Sequence, residues 1–246
     1  MSGHSKWHNI QAKKGKTDAA RGKIFTKIGR EIAVCVKQGG ADPNVNSKLK
    51  DLIAKAKSNN MPNDSIQRSI NKASGDKGSV NYEEKTYEGY GVGGSAVIVR
   101  TLTDNLNRTG GDVRHAFDKH SGNLGASGCV SYMFKQKGLV VIEKNIDTDV
   151  DEVMMTALDA GAFDVVEEDD VITVETEPGK ESEMAEKMEF AGFKVLSYES
   201  TLVPDNYIDL DEKQIAVFQK MIDMLEDNDD VQEVIHNVNL PEEDEE

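Results

Sequence analysis

GLVVIEKNIDTDVDEVMMTALDAGAFDVVEEDDVITVETEPGKESEMAEKMEFAGFKVLSYEST, residues 138–201, decides the fold. Apolar and β-branched runs predict strands over 139–143, 163–167, 171–175 and 194–200. Amphipathic stretches over 150–160 and 181–191 predict helices between them. The order is β-α-β-β-α-β, the split arrangement of a ferredoxin-like domain. Acidic clusters such as Glu167, Glu168, Asp169 and Asp170 mark its turns. Met154, Met155, Met184 and Met188, and beyond this stretch Met221 and Met224, recur at helical spacing and are expected in the core.

Working outward, both flanks are also mixed. KTYEGYG and SAVIVRTLT read as two strands joined through Gly91, Gly93 and Gly94. The glycines precede a strand, whereas a dinucleotide-binding fingerprint opens a helix, so a hairpin turn is expected. Thr109 and Asp112 predict a capping box for a helix burying Val113, Ala116 and Phe117. Cys129 to Phe134 predicts a further strand. After Pro204 a helix carrying Ile215, Phe218, Ile222 and Leu225 precedes a strand over about 231–238. The fold class expected is α+β, with residues 136–204 inserted into a discontinuous α/β domain of residues 80–135 and 205–240.

Residues 23–79 read as a small bundle of three helices. Ile24, Ile28, Ile32 and Cys35 or Val36 mark the apolar stripe of the first, which Gly39 and Gly40 stop. Lys23, Lys27, Arg30 and Lys37 share one face of it, within about 80°. Asp42 and Pro43 predict the start of a second helix, burying Val45, Leu49, Leu52, Ile53 and Ala56 and exposing Lys48, Lys50, Lys55 and Lys57. Asn59, Asn60 and Pro62 break it. A third helix turns Ile66, Ile70 and Ala73 inward and Arg68 and Lys72 outward. Helix-turn-helix geometry is compatible with these connections, though they are not distinctive. Residues 74–81, SGDKGSVN, form the linker that follows.

Charge divides the chain. Residues 1–79 hold 16 of the 29 Lys and Arg and 6 of the 45 Asp and Glu, a balance of +10, so the other 167 residues carry −26. A basic head on an acidic carrier points to a nucleic-acid partner that the net charge of −16 conceals. Residues 1–22 contain Lys6, Lys13, Lys14, Lys16 and Arg21 with little apolar surface to offset ordering, and read as a flexible basic arm. Trp7, the sole Trp, stacks there on an unpaired base or packs back onto the bundle. The tail, residues 241–246, is acidic.

Catalysis and metal binding find little support. His4 and His8 lack a third ligand nearby, and His115 and His120 lie about 140° apart on a helix. No carboxylate constellation stands out from the acidic background. The expectation is a non-enzymatic chain without catalytic residues, metal or cofactor. Arg108, Arg114 and His115 suggest a secondary polar patch, or capping and salt bridging between domains. Cys35 and Cys129 suit a reducing compartment, and no apolar run serves as a signal peptide or membrane span; a cytoplasmic protein without membrane partner or small-molecule substrate is expected.

GHSKWHNI (3–10), RGKIFTKIGREI (21–32), NVNSKLKDLIAKAKSNNMP (44–62), YEGYGVGGSAVIV (87–99), NRTGGDVRHAFDKHSGNLG (107–125) and DMLEDNDDVQEVIHNV (223–238) together resemble the YebC family. That resemblance implies a helical bundle and two α/β domains. Bacterial members are described as DNA-binding transcriptional regulators; others, like the mitochondrial translational activator, as translation factors that help ribosomes past proline-rich stretches. A nucleic-acid-binding regulator of gene expression is implied, with DNA or ribosomal and transfer RNA as partner. Lys6, Trp7, Lys13, Lys14, Arg21, Lys23, Lys27 and Arg30 carry over as contacts, and Lys16 extends their basic face.

Overall fold

The computed structural model describes residues 18–75, 81–168 and 170–240. These residues form an α+β chain of seven α-helices and two four-stranded antiparallel sheets. They divide into two compact units, one holding the described residues through Met133 and from Asn206 onward, the other Phe134–Asp205.

The first unit opens with α1 (Asp18–Gly39), α2 (Ser47–Ser58) and α3 (Asn63–Ser74). The α1 stripe of Ile28, Ile32, Cys35 and Val36 packs on Leu49, Ala56, Met61, Ile66 and Ile70. Gly40, at φ +86°, ends α1 in the left-handed region that glycine enters without penalty. The cap of α2 is Asn46, not Asp42. Its Oδ1 accepts from the Leu49 N–H at 3.2 Å, while its Nδ2 donates to the carbonyls of Cys35 at 3.1 Å and Gly40 at 2.9 Å. Asn46 is buried, and an aspartate has no donor with which to make the last two bonds. Asp42 instead closes a turn by accepting from the Asn44 N–H at 2.9 Å. Val45 therefore precedes the helix and is 81% exposed, contrary to the periodicity.

Next come β1 (Glu83–Tyr90) and β2 (Ala96–Thr103), an antiparallel hairpin with Tyr90 opposite Ala96. Gly93 and Gly94, at φ +68° and +79°, make its turn possible, and no helix follows them. α4 (Leu106–Lys119) begins earlier than the Thr109 motif predicts, because Asn105 is the cap and accepts from the Arg108 N–H at 3.1 Å. Thr109 is fully buried inside the helix. β3 (Asn123–Leu124) pairs with the end of β1. Of the strand expected over residues 129–134 only Phe134 is extended, as the start of the next strand; a bend and one 3₁₀ turn (Ser131–Met133) occupy residues 129–133. The Glu88 carboxylate causes this by taking up the N–H groups of Gly128, Val130 and Ser131 at 2.8, 3.0 and 2.8 Å.

The second unit runs β4 (Phe134–Glu143), α5 (Val150–Asp159), β5 (Asp164–Glu167), β6 (Val171–Thr176), α6 (Glu181–Phe190) and β7 (Val195–Pro204). Its sheet order β5-β6-β4-β7 places the first strand in the interior, the ferredoxin-like arrangement. Both helices close the core of Val140, Ile142, Val153, Ala157, Ile172, Val174, Met184, Ala185 and Met188. Met155 departs from expectation and is 67% exposed. Val153 and Ala157, one turn apart, own the buried face of α5, which turns Met154 and Met155 outward.

Back in the first unit, α7 (Glu212–Glu226) buries Phe218, Met221 and Leu225. β8 (Val231–His236) then pairs with β2, completing the order β3-β1-β2-β8. Val97, Val113, Phe117, Phe218, Met221 and Leu225 are the centre of this core, between the sheet and α4 with α7.

Candidate nucleic-acid interface

Lys6, Trp7, Lys13, Lys14 and Lys16 lie outside the described residues, as does the acidic tail. Arg21 is exposed in the first turns of α1. The other cations proposed on α1 are engaged within the protein. Lys23 Nζ lies 2.8 Å from Asp227 Oδ1, and Lys27 Nζ donates to the Glu226 carbonyl at 2.7 Å. Arg30 Nη1 reaches Asp230 Oδ1 at 2.5 Å, the Asp229 carbonyl at 2.8 Å and the Leu102 carbonyl at 3.3 Å. Its guanidinium also lies over the Tyr82 ring, 5.4 Å from the centroid. Thus the basic face of α1 meets the turn between α7 and β8.

Asp230 is the hub of that contact and is 2% exposed. Besides Arg30, its carboxylate accepts from Thr109 Oγ1 at 2.6 Å, Arg108 Nη2 at 2.7 Å and Thr103 Oγ1 at 3.1 Å. Burial acts to raise its pKa, but the bonds from Thr109, Arg108, Arg30 and Thr103 prevail and hold it at about 2. Arg108, which also pairs with Asp104 at 2.8 Å, is correspondingly held protonated. A buried carboxylate with two guanidinium and two hydroxyl donors is saturated, leaving little capacity for a ligand.

The residues of the secondary patch have different surroundings. Arg108 belongs to this hub. Arg114 lines an open groove of about 510 Å³ beside β1, while His115 lines a separate hollow of about 260 Å³ with Met224, Leu225 and Asn228. Both side chains are exposed.

On α1 Arg21 and Lys37 are exposed, and further solvent-facing positive charge sits on α2 and α3. Lys48, Lys50, Lys57 and Lys72 are exposed and have no ion pair among the described residues. Lys55 pairs with Glu31 at 3.0 Å. Arg68 bonds back within α3, to the Asp64 carbonyl at 3.1 Å and Ser65 Oγ at 3.0 Å. Periodicity turns the α2 lysines outward, yet the resemblance does not count them among the contacts. The complementary run EDNDD (226–230) is the signal that distinguishes the two faces: it supplies internal partners for α1 and none for α2. Among the described residues no group of three His, Cys, Asp or Glu could hold a metal ion. No helix among them is long and apolar enough to cross a membrane.

Glu88 is a second feature hidden from sequence reasoning. Burial would raise its pKa, yet the N–H groups of Gly128, Val130 and Ser131 lower it below the ordinary value. Glu88→Gln removes the charge and one acceptor oxygen, and is expected to cost about 1–3 kcal/mol. Faster amide hydrogen exchange at Gly128, Val130 and Ser131, with the bundle amides unchanged, is the readout. Unchanged exchange there would remove Glu88 from its anchoring role.

The architecture is a helical bundle with exposed lysines joined to mixed α/β elements. Comparison with known proteins makes the assignment specific. Residues 5–76 match the TACO1/YebC protein N-terminal domain and residues 82–238 the TACO1/YebC second and third domain. The chain belongs to the TACO1/YebC family. It is 58% identical over 243 residues, 99% of each chain, to a "Probable transcriptional regulatory protein" of Clostridium tetani. A relative of that description in Hathewaya histolytica is 57% identical over 98% of each chain. The crystal structure of a conserved hypothetical protein from Aquifex aeolicus is similar, with TM-score 0.83, 41% identity, and coverage of 94% of this chain and 95% of that one.

Proposed function

We propose that this chain is a non-enzymatic regulator of gene expression that binds nucleic acid, DNA in the first instance, through its basic N-terminal third. The observation that carries this reading is the placement of charge. Lys48, Lys50, Lys57 and Lys72 remain exposed without ion pairs among the described residues, while Lys23, Lys27 and Arg30 of the neighbouring α1 are taken up internally. Exposed lysines of this kind neutralise phosphates and release counterions. Lys6, Lys13, Lys14, Lys16 and Arg21 extend the same charge along the sequence, and Trp7 adds a stacking platform for a base. The relatives named as transcriptional regulatory proteins favour DNA over RNA.

Crosslinking in growing cells, followed by purification of the full chain and sequencing of what is attached, tests the reading. Enriched DNA fragments, lost when Lys48, Lys50 and Lys57 are changed to Glu, are expected. Enriched ribosomal or transfer RNA, with the protein sedimenting with ribosomes, would replace the DNA assignment by the translational one. Recovery of neither would overturn nucleic-acid binding itself.

A further inference from the structure

β1 is paired on one edge with β2 over its whole length, but on the other edge with β3 only at Gly89 and Tyr90. The Glu88 carbonyl points to that second edge, where it accepts the Gly125 N–H at 2.8 Å. By alternation along the strand, the N–H and C=O of Thr86 and Glu84 face the same way. Residues 83–86 are all exposed, and no described strand pairs with them there. An open edge of this length is a template for another extended chain.

The edge forms one wall of the 510 Å³ groove, whose opposite wall is the first half of α4 and whose end is the loop through Ser127. Lys85 and Arg114 line it, both exposed and neither in an ion pair among the described residues. Its one carboxylate, Glu88, is turned to the backbone N–H groups of its loop. Lys85 and Arg114 are thus the free charges of its lining, while Glu83 and Glu84 lie exposed on the edge beyond it. Gly111 also lines it, and a Cβ there would meet nothing within 4 Å. Internal packing therefore does not require glycine at this helical position, where it disfavours the helix. Its missing side chain leaves the α4 backbone open to the groove.

We propose that the groove between β1 and α4 receives an extended acidic segment of a partner protein, which adds to the β1 edge at Thr86 and meets Lys85 and Arg114 with its carboxylates. A polypeptide fits better than a nucleic-acid strand because the edge offers alternating donors and acceptors; its carbonyls repel phosphates but pair with peptide N–H groups. Partner choice would then lie in the carboxylate spacing of the incoming strand, and this site is independent of the basic surface on α2.

The probe is a fluorescein-labelled ten-residue peptide alternating Glu and Thr, titrated into the full chain by anisotropy. A second peptide carries N-methyl groups on alternate residues, and oligo-dT of equal length serves as the competing polymer. Binding of the first peptide should weaken about tenfold on methylation, in Thr86→Pro, and in Lys85→Glu with Arg114→Glu. Thr86→Pro removes only an edge N–H and is placed where strands tolerate proline. Gly111→Gln should raise the thermal midpoint while weakening the peptide, a separation that a merely structural glycine would not give. No binding of the peptide at ~1 mM, or equal binding to all variants, overturns the proposal. Competition by oligo-dT with the same variant sensitivity but no effect of methylation would give the groove to nucleic acid and overturn it equally.

Discussion

Asp230→Ala is expected to lose about 3–5 kcal/mol in a urea melt, a large share of the stability of a domain. The substitution removes the acceptor shared by Arg30, Arg108, Thr103 and Thr109. Arg30 keeps only 16% of its side chain exposed and would be left buried beside an empty site. Asp230→Asn retains the shape but not the charge and should fall between the two. The sign of the pH dependence follows from the depressed pKa. The Asp230 contribution is complete above its ordinary value of 3.8 and is lost as pH falls through about 2. The pKa difference corresponds to about 2 kcal/mol. Wild type should therefore lose stability more steeply between pH 4 and pH 2 than Asp230→Asn does. Parallel curves would show that this carboxylate is not the acid-sensitive joint.

Changing Lys48, Lys50 and Lys57 together to Glu should reduce duplex affinity at least tenfold near ~0.1 M salt and make the salt dependence shallower by about 2–3. Stability should hardly move, since these side chains are exposed and make no ion pair among the described residues. Lys27→Ala with Arg30→Ala should behave oppositely. Their donors hold the Glu226 and Asp229 carbonyls and the Asp230 carboxylate, so the loss should appear in the melt. Filter binding and urea denaturation on the same preparations separate the two sets. A binding defect confined to the α1 pair would reverse the assignment of faces.

Much of the fold is legible because local rules and burial agree. Apolar and β-branched runs over residues 139–143 and 171–175 and the 3.6-residue period of the helices suffice for the ferredoxin-like order. What escapes the sequence depends on contacts across long separations. Asn46 takes over from Asp42 because two carbonyls, of Cys35 and Gly40, need a donor. Residues 129–133 fail as a strand because Glu88 captures their N–H groups from another element. Thr109 resembles a cap until Asp230 supplies its partner. The basic stripe of α1 illustrates the same limit at the candidate site. Helical spacing correctly collects Lys23, Lys27 and Arg30 on one face, but only the fold shows that residues 226–230 meet it.

The most direct measurement of nucleic-acid binding through the N-terminal third is the salt dependence of duplex DNA affinity for the full chain and for one lacking residues 1–22. If ~6 phosphates are neutralised, the full chain should give a slope of log K against log salt of about −5, and about −4 on single strands. The shortened chain should remain folded by circular dichroism and show a clearly flatter slope and weaker binding. Equal affinities and equal slopes for the two chains would contradict the account.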